Sequence, residues 1–329
     1  MKTIVIECLS SLKGRNRRSL SQISLLMKAV LVLLIACSAL QARIAQQFRP
    51  RGDFDGDTVT DFAVFRRSEG NWYIRSIFFE TTTVKNWGNA DDQLVPGDYD
   101  GDAITDIAVW REAEGNWYII ESSAQTGRLV NLGLPGDIAV PSDYNGDGKT
   151  DIAIFRPGQG YWEARDTNGQ LLQSGNYVGQ PGDKPVPGDY VGDGASDFAV
   201  WRPSNGNWYV VSSSTKQLTV QPWGINGDKP VPEDYDGDGK TDFAVWRPSE
   251  GNWYVINSSN HAGTVRQWGL PTDIPVPGHY EANDFSADIA VFRPSEGNWY
   301  IIISSNNFNF VENWGMTGDV PIPSAYLPE

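Results

Sequence analysis

The residues best placed to do chemistry in this chain are aspartates. In DYDGDGKTDFAVWRP, from Asp234 to Pro248, carboxylates stand at positions 1, 3, 5 and 9 (Asp234, Asp236, Asp238 and Asp242), with Gly237 and Gly239 between them. Alternate acids in a tight glycine-bearing loop aim several carboxylates at one point. Left unneutralised, such a cluster of like charges is destabilising. Hard oxygen ligands in a flexible loop suit Ca²⁺, which takes roughly 6–8 of them, and the backbone carbonyl at position 7 would add another. The chemistry expected is cation binding; the plain alternative is a set of Asp/Gly turns with no metal.

The pattern recurs. Its opening residue falls at Asp53, Asp98, Asp143, Asp189 and Asp234, with His279 in the sixth place, at steps of 45, 45, 46, 45 and 45 residues. The first loop offers Asp53, Asp55, Asp57 and Asp61, with Thr58 where a glycine is usual. The second offers Asp98, Asp100, Asp102 and Asp106, with Ala103 in that place, and the third Asp143, Asn145, Asp147 and Asp151. The fourth keeps Asp189, Asp193 and Asp197, but Val191 at position 3 cannot coordinate, so a weakened site is expected. The sixth, HYEANDFSAD from His279 to Asp288, has gained a residue and lost the pattern, and is expected to hold no ion.

Other catalytic signals are scarce. The only histidines are His261 and His279, and both cysteines, Cys8 and Cys37, precede the repeats. No nucleophile elbow and no zinc-ligand spacing occurs. Carboxylate-only hydrolysis needs an acid pair, and no pair stands apart from the repeated loops. The Trp of each GNWY, and a second set at Trp87, Trp223, Trp268 and Trp314, could stack on sugars, but tryptophans repeated in register read first as blade-to-blade packing. Arg51-Gly52-Asp53 spells a tripeptide that integrins bind, yet Asp53 already opens an acidic loop, so the match reads as coincidence.

The elements that must position these loops are strands. Each repeat holds four short runs rich in Val, Trp, Tyr and Phe, divided by Gly, Pro, Ser, Asn and Asp. In the fifth they are KPVPEDY (229–235), DFAVWRP (242–248), NWYVINS (252–258) and GTVRQWG (263–269). Four strands in about 45 residues is the size of a β-propeller blade. DFAVW is apolar on both faces, as blades stacked face to face require. The PVP run cannot donate to a ladder at its prolines, which places it on an edge and so makes it the innermost strand. The fold class expected is all-β: six four-stranded blades over residues 47–329, closed by the C-terminal run DVPIPSAY (319–326) pairing with the first blade. A linear β-solenoid is the structural alternative.

At this point DYDGDGKTDFAVWRP and DFDGDTVTDFAVF resemble the FG-GAP or VCBS repeats of integrin-α-type β-propellers. The resemblance covers residues 48–326. It implies a D-x-D-x-D-G-x-x-D calcium loop between the first two strands of a blade, and a role in binding or adhesion at the cell surface.

Residues 1–46 read as an export leader: a basic stretch (Lys13 to Arg18) precedes the apolar AVLVLLIACSAL (29–40), with cleavage expected after Ala42 or Ala45. Met27 opens a compact signal by itself and is an alternative start. LIAC (34–37) resembles a lipoprotein box, so a lipid anchor on Cys37 is the alternative to free secretion. Beyond residue 42 there are 20 bases against 40 acids, within a whole-chain net charge of −15. That excess argues against nucleic acid and anionic membranes as partners. Two functional readings follow. One is a secreted or surface-attached, calcium-stabilised module that binds or adheres to a protein or polysaccharide. The other is an extracellular carbohydrate-active enzyme (lyase, hydrolase or dehydratase) with its site at the channel mouth.

Overall fold

The computed structural model describes residues 50–282, 284–323 and 327. The expected leader, with its expected cleavage points, Met27 and Cys37, lies outside them. Six antiparallel sheets of four strands make six propeller blades. The second strands of blades 1 to 6 are Phe62–Arg66, Ile107–Arg111, Ile152–Arg156, Phe198–Arg202, Phe243–Arg247 and Ile289–Arg293. They are buried on both faces because each blade is sandwiched between two others. The outermost strands are mostly exposed, and Gly263–Gln267 is exposed at every position.

The proline-bearing run sits at the buried edge of each sheet, as its chemistry requires. It is shorter than its sequence suggests. In blade 5 only Lys229–Pro230 is laddered, against Trp246 and Val245. The Val231 amide then donates to Ala244, Pro232 has nothing to donate, and an isolated bridge at Glu233–Asp242 resumes the same register. The acidic loop is therefore the hairpin connecting the first two strands of a blade.

Blade 1 takes its inner strand from the far end of the chain. Asp319–Pro321 pairs antiparallel with Phe62–Arg66, Val64 opposite Pro321, so the C-terminal strand closes the ring.

The EGNWY and WG motifs answer each other. Gly206 has φ +69, and a Cβ there would lie 2.1 Å from the Gly224 carbonyl. The turn thus admits only glycine. The adjoining Trp72, Trp117, Trp162, Trp208, Trp253 and Trp299 are fully buried. Their indole N–H groups donate to carbonyls across the blade, for example Trp208 to Trp223 at 2.9 Å. The second tryptophan set reaches into the following blade: Trp87 donates to Tyr118, Trp223 to Tyr254, Trp268 to Tyr300, and Trp314 to Tyr73 across the closure. Both sets are structural.

Candidate functional site: a ring of acidic loops

Each acidic loop is wound around its own carboxylates. The position-1 aspartate accepts two loop amides: Asp53 Oδ1 from Gly56 at 2.7 Å and Oδ2 from Thr58 at 2.9 Å. Asp98, Asp143, Asp189 and Asp234 repeat this arrangement. Position 9 ties the loop to its start, as when Asp106 accepts the Tyr99 amide at 2.8 Å. Thr58 and Ala103, which replace glycine at position 6, adopt the same left-handed backbone at φ 70 and 71. The winding imposes that conformation even where a side chain resists it.

The loops are also joined to one another. The position-1 carbonyl of each blade accepts an amide from the next: Asp53 from Thr105, Asp98 from Thr150, Asp143 from Ser196, Asp189 from Thr241, Asp234 from Ala287, and His279 from Thr60, at 2.6–2.8 Å. Six such bonds run around the ring and close it. His279 keeps this backbone role although its side chain departs from the pattern.

The structure brings the sequence-predicted ligands together unequally. Acidic oxygens converge to within 4.8 Å in the first loop (Asp53, Asp55, Asp57), the second (Asp98, Asp100, Asp106) and the fifth (Asp234, Asp236, Asp242). The third and fourth loops show no such three-acid group among the described residues. In the third, the Asn145 amide donates to Asp147 at 3.2 Å. In the fourth, Val191 is 41% exposed and contributes only its backbone amide, to Asp197 at 3.2 Å.

The donor set fits a hard divalent cation best in the first loop. Asp55 Oδ2, Asp57 Oδ2 and Asp61 Oδ1 are buried there without a hydrogen-bond partner, as are Asp151 Oδ1 in the third loop and Asp236 Oδ1 in the fifth. Burial, with the neighbouring acids adding to it, pushes Asp53 up to about 6 and Asp61 up to about 8. Burial likewise pushes Asp106 and Asp234 up to about 7, and Asp151 up to about 8. Buried carboxylates short of donors are poorly stable as anions; oxygen ligation to Ca²⁺ would answer that need.

Three sets of residues escaped the sequence reading. The serines after the third strand cover the acids: Ser122 and Ser123 donate to Asp102 and Asp100 at 2.8 and 2.5 Å, and Ser258 and Ser259 to Asp238 and Asp236 at 2.8 and 2.5 Å. The signal was an SS pair that begins four residues after the Tyr of NWY. In blade 1, Ile77 and Phe78 stand in those places, so the acids there lack this cover. Second, each blade carries a bidentate ion pair between a partly exposed arginine and a buried aspartate at the opposite end of its second strand. These are Arg66–Asp319, Arg111–Asp92, Arg156–Asp137, Arg202–Asp183, Arg247–Asp228 and Arg293–Asp273. Each guanidinium also lies 4.0–5.3 Å from a tyrosine ring centroid. The Arg after each apolar strand and the Asp ahead of each PVP-like run were visible as repeats, but not as partners.

The third is Lys216. Its ammonium donates to the Ser213 carbonyl at 2.6 Å and to Gln173. Ser213 in turn donates to Asp197 at 2.8 Å and lies 3.4 Å from Asp193. Burial pushes this amine down, and Asp197 and Asp193 pull it back. The loop that lost its position-3 acid has gained a side-chain cation beside it.

Arg51 bonds Glu233 of blade 5 at 3.0 Å, and Asp53 is 1% exposed. Within the Arg-Gly-Asp tripeptide the aspartate is therefore buried in its loop and the arginine is paired.

Residues 143–200 match the model of the FG-GAP-like repeat. The chain is thus a six-bladed β-propeller that carries an FG-GAP-like repeat. No curated protein matches its sequence. Among solved structures it is similar to virginiamycin B lyase from Staphylococcus aureus, at 11% identity and TM-score 0.53 over 81% of this chain and 84% of that one. A streptogramin B lyase matches at 10% identity and TM-score 0.52, covering 82% and 86%. An Agrocybe aegerita lectin that recognises non-reducing terminal N-acetylglucosamine matches at 12% identity and TM-score 0.50, covering 75% and 73%. Likeness at such identity speaks to the fold alone.

Proposed function

We propose that this chain is a secreted or surface-attached binding module of the integrin-α-like kind, a propeller stabilised by Ca²⁺ that holds a protein or glycan at the cell surface. The observation carrying this reading is the uniformity of the ring. All six blades repeat one strand plan, and the acids that could do chemistry are spent on winding and linking the loops. Asp53, Asp98 and Asp234 would hold the ion in the first, second and fifth loops together with their position-3 acids, joined by Asp57, Asp106 and Asp242 respectively. The fold then provides a rigid platform whose specificity lies between or upon the blades.

One observation favours the enzyme reading. Arg51, Glu233 and the buried His279 form a polar group near the acidic-loop end of the inner strands that does not repeat around the ring. The Arg51–Glu233 pair answers each charge with the other, which speaks for a structural tie across the ring. A glycan array probed with and without Ca²⁺, alongside turnover assays on the polysaccharides that bind, separates the two. Calcium-dependent retention without turnover is the expected result. Depolymerisation abolished by Glu233→Gln would replace the binding module with the enzyme.

A further inference from the structure

At the end of the inner strands away from the acidic loops, one place differs in charge from blade to blade. It lies opposite the fourth residue of the second strand and is held by Gln93, Ile138, Lys184, Lys229, Ile274 and Val320. The two lysines stand on the neighbouring inner strands of blades 4 and 5. We propose that Lys184 and Lys229 together bind a phosphate group at this end of the central channel, either inorganic phosphate or the phosphate of a larger ligand. The site is separate from the acidic loops and does not depend on the binding-module reading.

Gln93 shows what an uncharged polar side chain does at this place. Its amide reaches the next inner strand, donating to the Ala139 carbonyl at 3.0 Å and accepting the Ala139 amide at 3.3 Å. The residues that correspond to Ala139 beyond Lys184 and Lys229 are Pro230 and Pro275, which have no N–H. Lys229 holds its ammonium 5.6 Å from the centroid of the Trp246 ring. Neither ammonium forms an ion pair or a hydrogen bond among the described residues. The adjacent acids are already engaged. Asp183 takes the Arg202 guanidinium at 2.8 Å on each oxygen and the Gln180 amide at 3.0 Å. Asp228 takes that of Arg247 at 2.7 and 3.1 Å and the Ile225 amide at 2.9 Å.

Two like charges so placed repel each other. Partial desolvation and, after it, the charge of Lys184 both lower the Lys229 amine. An anion between the two would remove the repulsion. Edge lysines ordinarily keep foreign strands from pairing. Here the inner edges face one another inside a closed ring, so that need is absent, and the other four blades carry no charge at this place. The charge count selects the anion. A carboxylate answers one ammonium, whereas a phosphate monoester carries about −1.5 to −2 at pH 7 and three acceptor oxygens. That matches two ammonium groups, and lysine binds phosphate well as a point charge. The whole-chain net charge of −15 opposes long polyanions, so the ligand presents a single phosphate group.

The double variant Lys184→Ile with Lys229→Ile installs the residue that blades 3 and 6 carry at this place. Calorimetry would be run with inorganic phosphate, glucose 6-phosphate and glucose, in Ca²⁺ low enough to keep phosphate dissolved. Physiological ionic strength screens loosely held counter-ions. The parent is expected to bind both phosphates and not glucose, and the double variant to bind them roughly tenfold more weakly or worse. In phosphate-free buffer the double variant should melt no lower than the parent, since a repulsion has been removed. A lower melting temperature would mean that the lysines stabilise the ring by themselves, and overturns the proposal. So does equal phosphate binding by the folded double variant, failure of the parent to bind either phosphate, or glucose bound as tightly as its phosphate. Should the double variant not fold, Lys184→Gln with Lys229→Gln, which copies Gln93, is put to the same titrations and the same criteria decide. Tighter binding of glucose 6-phosphate than of inorganic phosphate assigns the site to a phosphorylated ligand, and equal or weaker binding assigns it to free phosphate; both support the site.

Discussion

Asp61 is a fully buried carboxylate that accepts one amide, from Phe54 at 2.8 Å, and leaves its other oxygen without a donor. Such a group is costly as an anion unless a cation lies beside it. Asp61→Asn keeps the acceptor for Phe54 and removes the charge. Its effect should therefore change sign with conditions. In chelator the variant should be more stable than the parent, and in Ca²⁺ less stable, each by about 1–3 kcal/mol. Paired thermal melts report both arms, and the same sign in both would mean that no cation answers Asp61. His279 poses the opposite problem. Burial, the larger effect, lowers its pKa from 6.5 to about 4, against the pull of Asp284. The folded form keeps it neutral while the unfolded chain takes up a proton below about pH 6.5. Stability from this residue is full above that pH and drains away as pH falls toward 4, by about 3 kcal/mol in all at ~1.4 kcal/mol per unit. Urea titrations at pH 7 and pH 4.5 should show a smaller loss for His279→Asn than for the parent. Equal losses would mean that His279 is not kept neutral by the fold.

At the scale of the element, the acidic loops form a natural mutant series. They share winding and register and differ in a few side chains. Loops 1, 2 and 5 gather three acids, whereas the fourth carries Val191 and has Lys216 nearby. Restoring the acid alone sets it in competition with that ammonium. Val191→Asp should raise Ca²⁺ affinity in the fourth loop modestly, and Val191→Asp with Lys216→Gln should raise it further, adding one ion to the stoichiometry measured by calorimetry. A double variant with the parent's stoichiometry would show that Lys216 is not what displaces the ion. The aspartates at positions 1, 3, 5 and 9 were legible in the sequence because ligand spacing within one loop is local. Lys216 was not, since it approaches from the turn after the third strand of its blade. The serine cover was equally hidden: Ser258 lies twenty residues beyond Asp238, and only the antiparallel pairing of strands brings them together.

For the whole molecule, closure is the decisive event. Three devices join the last part of the chain to the first blade. Asp319–Pro321 completes the sheet of blade 1, Asp319 bonds Arg66 at 2.8 and 3.0 Å, and Trp314 donates to Tyr73 at 3.2 Å. Removing residues 318–329 takes away the inner strand and the carboxylate, leaving a sheet edge and a guanidinium unanswered. The truncated chain should melt well below the parent and lose a single cooperative transition. Melting alongside the full chain would mean that the ring does not depend on this strand.

The 45-residue period, the four strands per repeat and the closing match of DVPIP to the inner strand are written in the linear order of residues, because strand alternation, turn chemistry and proline placement act over a few positions. So is the acidic pattern of each loop. Tertiary structure alone decided which like residues become unlike sites. In the first loop Ile77 and Phe78 replace two serines whose hydroxyls, in the second and fifth loops, arrive from the turn after the third strand to cover the acids at positions 3 and 5. Arg51 is tied to another blade because Glu233, 182 residues later, lies within reach once the ring has closed. Burial, pairing and charge balance in this fold depend on neighbours around the ring, and those are set only when six blades meet.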